Sequence, residues 1–185
     1  MTATILIANG SNRRHVRYGR PEGVVRAAVR ALAAAGLPVA AVSRIRSTAP
    51  LGPGGRCFAN AAVAVTSARP LPDVLHIIQA IERDFGRRGG KRWGDRVLDL
   101  DIIGAGRQIV RQKALRVPHP HVADRRFVLD PLIDIAPDWR HPHSGLSVRQ
   151  LRARAMRPKA PIHTPAASCC GAVGAHSSIG RARAF

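Results

Sequence analysis

The chain is 185 residues long, which suits one domain with a tail. Its apolar fraction of 45% can fill a core, but aromatics are only 4%, so that core is built mainly of Ala, Val, Leu and Ile. Thirty Lys and Arg against 11 Asp and Glu give a formal net charge of +19, which calls for a polyanionic partner, and no apolar run of about 18 residues offers a membrane-spanning helix. In chain order, residues 4–8 (TILIA) read as a buried strand closed by a turn at Asn9-Gly10. Residues 21–36 (PEGVVRAAVRALAAAG) read as a helix. Val24, Val25, Ala28, Val29 and Leu32 fall on one stripe, Pro21 opens it and Gly36 stops it. Residues 39–46 (VAAVSRIR) read as a second strand and 47–56 (STAPLGPGGR) as a Pro/Gly loop. Residues 60–66 (NAAVAVT) form a third strand. Residues 71–85 form a second helix, with apolar positions at Val74, Leu75, Ile78, Ile81 and Phe85. A Gly/Arg-rich loop over 86–95 leads to a fourth strand at 97–103. Helical turns over 122–136 and a short helix over 147–155 complete the body.

The order β-α-β-β-α-β predicts an α+β fold of ferredoxin-like type. Its antiparallel sheet carries the two helices on one face, with C-terminal helical elements in addition. The other face is left to be covered or to hold a site. Residues 1–157 form the predicted catalytic domain. Residues 158–185, rich in Pro, Ala, Ser and Gly, are expected to be a disordered basic tail. Six basic residues and no acid follow position 150, so residues 1–150 still carry +13. Cys57, Cys169 and Cys170 form no C-x-x-C pair and suit a reducing cytoplasm. The start, MTATILIANG, is not expected to be a signal peptide, since its apolar run is short and lacks a basic leader.

The stretch that carries chemistry is RWGDRVLDLDIIG, residues 92–104. Acids are scarce here, yet Asp99 and Asp101 stand two apart in an apolar strand. Alternation points both to one face, about 6.5–7 Å apart, and sends Leu98, Leu100 and Ile102 to the other. Two carboxylates on one half-buried face repel, so one must be protonated or a cation must lie between them. Mg²⁺ suits such a pair, because it binds through one or two carboxylates plus substrate phosphates. Just upstream, Arg87, Arg88, Lys91, Arg92 and Arg96 supply donors for phosphoryl oxygens. A bare D-x-D is otherwise an ordinary surface strand; the arginines make it a phosphoryl-transfer candidate.

Taken whole, this stretch resembles the signature R-W-G-P-R-x-L-D-L-D of the 6-hydroxymethyl-7,8-dihydropterin pyrophosphokinase (HPPK) family. ILIANGSN, STAPLGP, FANAAV and RVPHPHVADRRFVLDPLIDIAPDW are also similar to that family, in the family's order. The resemblance spans residues 5 to about 151. It implies a ferredoxin-like fold and transfer of pyrophosphate from ATP to the pterin hydroxymethyl group, giving AMP and the pterin diphosphate in folate biosynthesis. By the same resemblance, Asp99 and Asp101 bind two Mg²⁺ ions. Arg87, Arg92, Arg96, His119 and Arg125 hold the triphosphate, and Gln79, Glu82 and Ile102 line the nucleotide site. Phe58 and Phe127 sandwich the pterin, and Asn60 faces its donor/acceptor edge. Thr48 and Leu51 offer backbone groups, Gly10 allows close approach and Trp93 packs over the closed site. The implied protein is a cytoplasmic monomer that binds ATP and the pterin, and neither membrane nor nucleic acid. Without the resemblance, Phe58 and Phe127 read as core aromatics, His119 as a turn residue and Arg125 as part of a solvated helix face. Asp95 departs from the signature's proline. A basic nucleic-acid-binding module and an inactive family member are the alternatives.

Overall fold

The computed structural model describes residues 2–49, 56–86 and 97–157. The expected disordered tail, Leu51 and the arginine-rich segment with Arg87, Arg92, Trp93 and Arg96 lie outside the described residues. The described elements are β1 (Ala3–Ser11), α1 (Pro21–Ala34), β2 (Val39–Val42), β3 (Arg46–Thr48), β4 (Phe58–Ser67), α2 (Leu71–Asp84), β5 (Asp99–Ala105), β6 (Val110–Arg111), β7 (Arg116–Val117), α3 (Arg126–Ile135) and α4 (Val148–Met156). A 3₁₀ turn, Val122–Asp124, precedes α3.

The main sheet is antiparallel, in the order β2-β4-β1-β5, with β3 also on β4. Strand β1 pairs with β4 from Ala3↔Ser67 to Ser11↔Ala59, and with β5 from Ile5↔Ala105 to Gly10↔Asp99. The turn expected at Asn9-Gly10 does not form. Pairing on both flanks carries the strand on to Ser11, and this overrides the local turn preference of the pair. The second strand is broken where one was expected. Ser43 N–H donates to Ala62 O (2.9 Å), and Ala62 N–H donates to Ser43 Oγ (2.8 Å), so a side chain replaces a ladder carbonyl. The chain then bends and resumes as β3, which includes Ser47 and Thr48 of the stretch read as loop. The β6–β7 hairpin was not legible, because two residues per strand show no alternation.

Ile5, Ile7, Val63, Val65, Leu98, Leu100 and Ile102 pack beneath α1 and α2, as the alternation of β5 implied for the last three. Helices α1 and α2 thus share one face, as expected, and the C-terminal helices cover part of the other. Leu6, Ala62, Ala64 and Ile103 pack beneath α3 and α4 through Val128, Leu129, Leu132, Val148 and Leu151. The physical reason lies in β4, whose Ala/Val run is buried on both faces. A bulge in the β1–β5 register at Leu6/Ile7 sends both Ile103 and Gly104 toward this second layer. There Gly104 is required, because a Cβ would lie 2.3 Å from the Trp139 ring. Trp139 is in turn held by its Nε1–H donating to Gly106 O (2.9 Å). Helix α4 begins with a capping box between Ser147 and Gln150. Among the described residues no helix is long and apolar enough to cross a membrane.

Candidate active site

The face that carries α3 and α4 is covered over the Leu6 half of β1. At the other end of that strand the register brings the chemistry-bearing residues side by side. Arg46 pairs with Asn60, Asn60 with Gly10, and Gly10 with Asp99, so these four form one row across β3, β4, β1 and β5. Directly paired residues share a face, so the row points to one side. The next row on that side is Ala62, Ala8 and Asp101. Asp99 and Asp101 are both half-buried while Leu98, Leu100 and Ile102 are buried. The pairing is regular from Asp99 to Ile102, so the two carboxylates do share a face.

Gly10 makes the floor of this row. A Cβ there would lie 3.1 Å from Asn60 Oδ1, so glycine leaves a gap between the amide and Asp99. Asn60 is buried and its Nδ2 donates to Thr48 Oγ1 at 2.7 Å. That bond fixes the amide's orientation and leaves Oδ1 toward the gap. Phe58 pairs with Thr48 at the open end of β4, on the same face as Asn60. Phe127, near the start of α3, is half-buried against the cluster beneath that helix, and the Arg125 guanidinium lies 5.8 Å from its ring centroid. The strands and α3 thus place Phe58, Asn60, Thr48, Gly10, Asp99, Asp101 and Phe127 on one side of the sheet.

His119 follows the cis Val117–Pro118 bond, and its backbone N–H donates to Ile103 O (3.0 Å). Its Nδ1 accepts from the His121 backbone N–H (3.2 Å), so the neutral ring carries its proton on Nε2. Burial is the main reason its pKa falls from 6.5 to about 4; Arg125 and His121 lower it further, while Asp99 opposes them. His119 is therefore a neutral donor at pH 7, in the same field as Arg125 and Asp99. Beside it opens a cleft of about 510 Å³, lined among others by Arg111, Lys113, Arg116, His119, His141 and His143, with no acid among the described residues of its walls. Burial and His143 lower the pKa of His141 as well.

The residues expected beside a nucleotide divide. Gln79 is half-buried on α2. Glu82 is buried, and its Oε1 accepts the Leu100 N–H (2.9 Å) on the outer edge of β5, so it secures the strand that bears the aspartates. The Ile102 side chain lies in the core with α1 and α2, away from the aspartate face. Arg46 and the basic hairpin residues were missed by sequence reasoning. Arg46, two positions before Thr48, was readable as a same-face neighbour only once that stretch was known to be a strand.

A family model for 7,8-dihydro-6-hydroxymethylpterin-pyrophosphokinase (HPPK) matches residues 6–137, which include every described member of the row. The chain belongs to this family. The 2-amino-4-hydroxy-6-hydroxymethyldihydropteridine pyrophosphokinase of Pseudomonas aeruginosa is 41% identical over 147 residues, covering 77% of this chain and 86% of the relative. The protein of the same name from Synechocystis is 39% identical over 117 residues, covering 63% of this chain but only 60% of the relative. The match to the mitochondrial folate synthesis bifunctional protein of Arabidopsis thaliana spans 23% of that protein's length. Among solved structures, Plasmodium falciparum HPPK-DHPS with pteroate superposes with a TM-score of 0.64 at 14% identity, covering 83% of this chain and 42% of that one. This likeness supports the mixed fold, an antiparallel sheet packed with helices.

Proposed function

We propose that this HPPK-family chain transfers the pyrophosphoryl group of ATP to the hydroxymethyl oxygen of 6-hydroxymethyl-7,8-dihydropterin, giving AMP and the pterin diphosphate in folate biosynthesis. The observation that carries this reading is the single row in which Asn60, Gly10 and Asp99 stand side by side, with Asp101 one row behind. An amide for a ring edge and two carboxylates for cations that bridge phosphate lie on one face. The family match favours this enzyme over a basic nucleic-acid-binding module.

The pterin lies over Gly10, its edge toward Asn60 and backbone groups of Thr48 and Leu51, with Phe58 and Phe127 against its faces. Its hydroxyl oxygen attacks the β-phosphorus of ATP. The bond from that phosphorus to the α–β bridging oxygen breaks, and AMP departs with the electron pair. The hydroxyl proton passes to solvent. His119 Nε2–H and Arg125, joined by Arg87, Arg92 and Arg96, hold the phosphates and balance charge moving onto AMP. The nucleoside end extends past Gln79, Glu82 and the backbone of Ile102, and the basic residues of the cleft beside His119 continue the positive field outward.

The donor set fits Mg²⁺, because Asp99 and Asp101 are hard oxygen ligands on one face of β5. Two ions held by this pair would neutralise phosphate charge and lower the pKa of the attacking hydroxyl. By the same reading the topology is ferredoxin-like, with β2 and β3 together as its second strand, and the protein is a cytoplasmic monomer.

The test is product analysis. Purified protein with ATP, Mg²⁺ and the pterin should release AMP and form one pterin diphosphate per AMP. Release of ADP, or no pterin-dependent release, refutes the assignment.

A further inference from the structure

One charged pair ties together the two walls of the proposed pterin slot. The Arg46 Nη2 donates to Asp134 Oδ1 at 2.7 Å, and the Arg44 backbone N–H donates to Asp134 Oδ2 at 3.2 Å. A single carboxylate thus grips the bend between β2 and β3 and the first residue of β3. Both grips bear on the site. Arg44 follows Ser43, where the ladder is interrupted, so its N–H has left the β4 register. Without Asp134 that donor turns to water, and the bend keeps only the Ser43 bonds to Arg44 O and Ala62, with the short β3–β4 ladder beyond it. Arg46 is the direct partner of Asn60, and Thr48, two residues on, holds the Asn60 amide.

The carboxylate stands on α3, seven residues after Phe127. Seven residues are nearly two full turns, so Phe127 and Asp134 lie on one stripe of the helix, about 10 Å apart along its axis. The helix face that carries Phe127 is therefore the one anchored to β3. The pair is only partly screened, with side-chain exposures of 39% for Arg46 and 23% for Asp134, and Arg46 Nε is buried with no hydrogen-bond partner among the described residues. The guanidinium is thus committed to this one contact rather than spread over several.

We propose that Asp134, with Arg46, is a positioning residue that sets the gap between the Thr48–Phe58–Asn60 wall and the Phe127 wall, and so sets affinity for the pterin. It touches no reacting atom and acts through Asn60 and Phe127. The ATP side leans on it less: β5 and His119 lie off α3, and only Arg125, the N-cap residue of α3, shares the helix. This inference rests on the pterin reading of the site.

The experiment compares wild type, Asp134→Ala, Arg46→Lys and Arg46→Ala by pterin-binding titration, ATP titration and amide hydrogen exchange. In Asp134→Ala, pterin affinity falls about 5- to 20-fold, and ATP affinity stays within about twofold. Amide exchange in residues 44–48 speeds up about tenfold without ligand. Arg46→Lys keeps a cation and recovers most of the affinity that Arg46→Ala loses. The double variant Arg46→Ala/Asp134→Ala loses no more than Asp134→Ala alone, because both remove one coupling. Unchanged pterin affinity in folded Asp134→Ala, or equal losses for pterin and ATP, overturns the proposal. Should Asp134→Ala fail to fold, the contrast between Arg46→Lys and Arg46→Ala decides on the same readouts. Wild type that does not bind the pterin sinks the site reading itself, a result distinct from normal wild-type binding with an indifferent Asp134→Ala.

Discussion

Gly10→Ala tests the floor of the row most directly. The new methyl would sit 3.1 Å from Asn60 Oδ1, so the amide must give by a few tenths of an ångström. That amide is tethered to Thr48 Oγ1 at 2.7 Å and is buried, so it cannot swing away freely. Tilting it weakens about one neutral hydrogen bond to the pterin edge, about 0.5–1.5 kcal/mol, or roughly two- to tenfold in affinity. The fold should barely notice. Replacing a strand glycine by alanine returns about 0.5–1 kcal/mol of backbone entropy, which offsets the tight contact. Net stability should therefore stay within about 1 kcal/mol, a Tm change of no more than about 4 °C. Gly10→Val adds two branches into the same gap and should cost about 100-fold in kcat/KM for the pterin. The assays are pterin titration, AMP release against pterin concentration, and thermal melting. Unchanged pterin KM in a folded Gly10→Val would refute the claim that this gap receives the ring. A loss confined to ATP would do so as well.

Asp99→Asn and Asp101→Asn keep the shape of half-exposed side chains and remove the charge. AMP release should fall at least about 10³-fold in each, with Mg²⁺ dependence weakened and melting near wild type. Near-normal turnover in both would remove the metal role. His119 has a folded pKa of about 4 against 6.5 unfolded, with burial the largest cause. Its stabilising contribution is full above about pH 6.5 and is lost as pH falls toward 4, because the unfolded chain takes up the proton first. Wild type should lose melting temperature relative to His119→Gln across that window, and parallel curves would show that the ring is not so buried. Gly104→Ala drives a methyl into Trp139 and breaks the Nε1–H bond to Gly106 O. It should cost about 2–4 kcal/mol in urea denaturation, and a loss below about 1 kcal/mol would mean that the indole has room to move.

The amino-acid order alone settled a good deal about this protein. Short apolar runs located β1 and β4, alternation set the faces of β5, and 3.6-residue stripes located α1 and α2, with α3 and α4 legible only as helical turns and a short helix. The face of Asp99 and Asp101 followed from alternation, and their opposition to Leu100 and Ile102 is what the sheet shows. The long signature around them, together with GSN and V-P-H-P, was enough to suggest the family that the comparisons show. Tertiary structure decided the rest, because each remaining feature depends on a partner distant in sequence. Asn9-Gly10 is strand rather than turn because β4 and β5 flank it. The second strand breaks at Ser43 because that hydroxyl meets Ala62, and β3 is then aimed by Asp134, 88 residues from Arg46. The role of Glu82 is likewise invisible until α2 packs against β5 and offers its carboxylate to the Leu100 N–H. The second face is partly sealed because α3 and α4 fold back onto Leu6, Ala62 and Ala64, rather than onto the Gly10 end of β1. Spacing along the chain encodes which face a side chain takes; only packing decides whether that face is core, wall or open site.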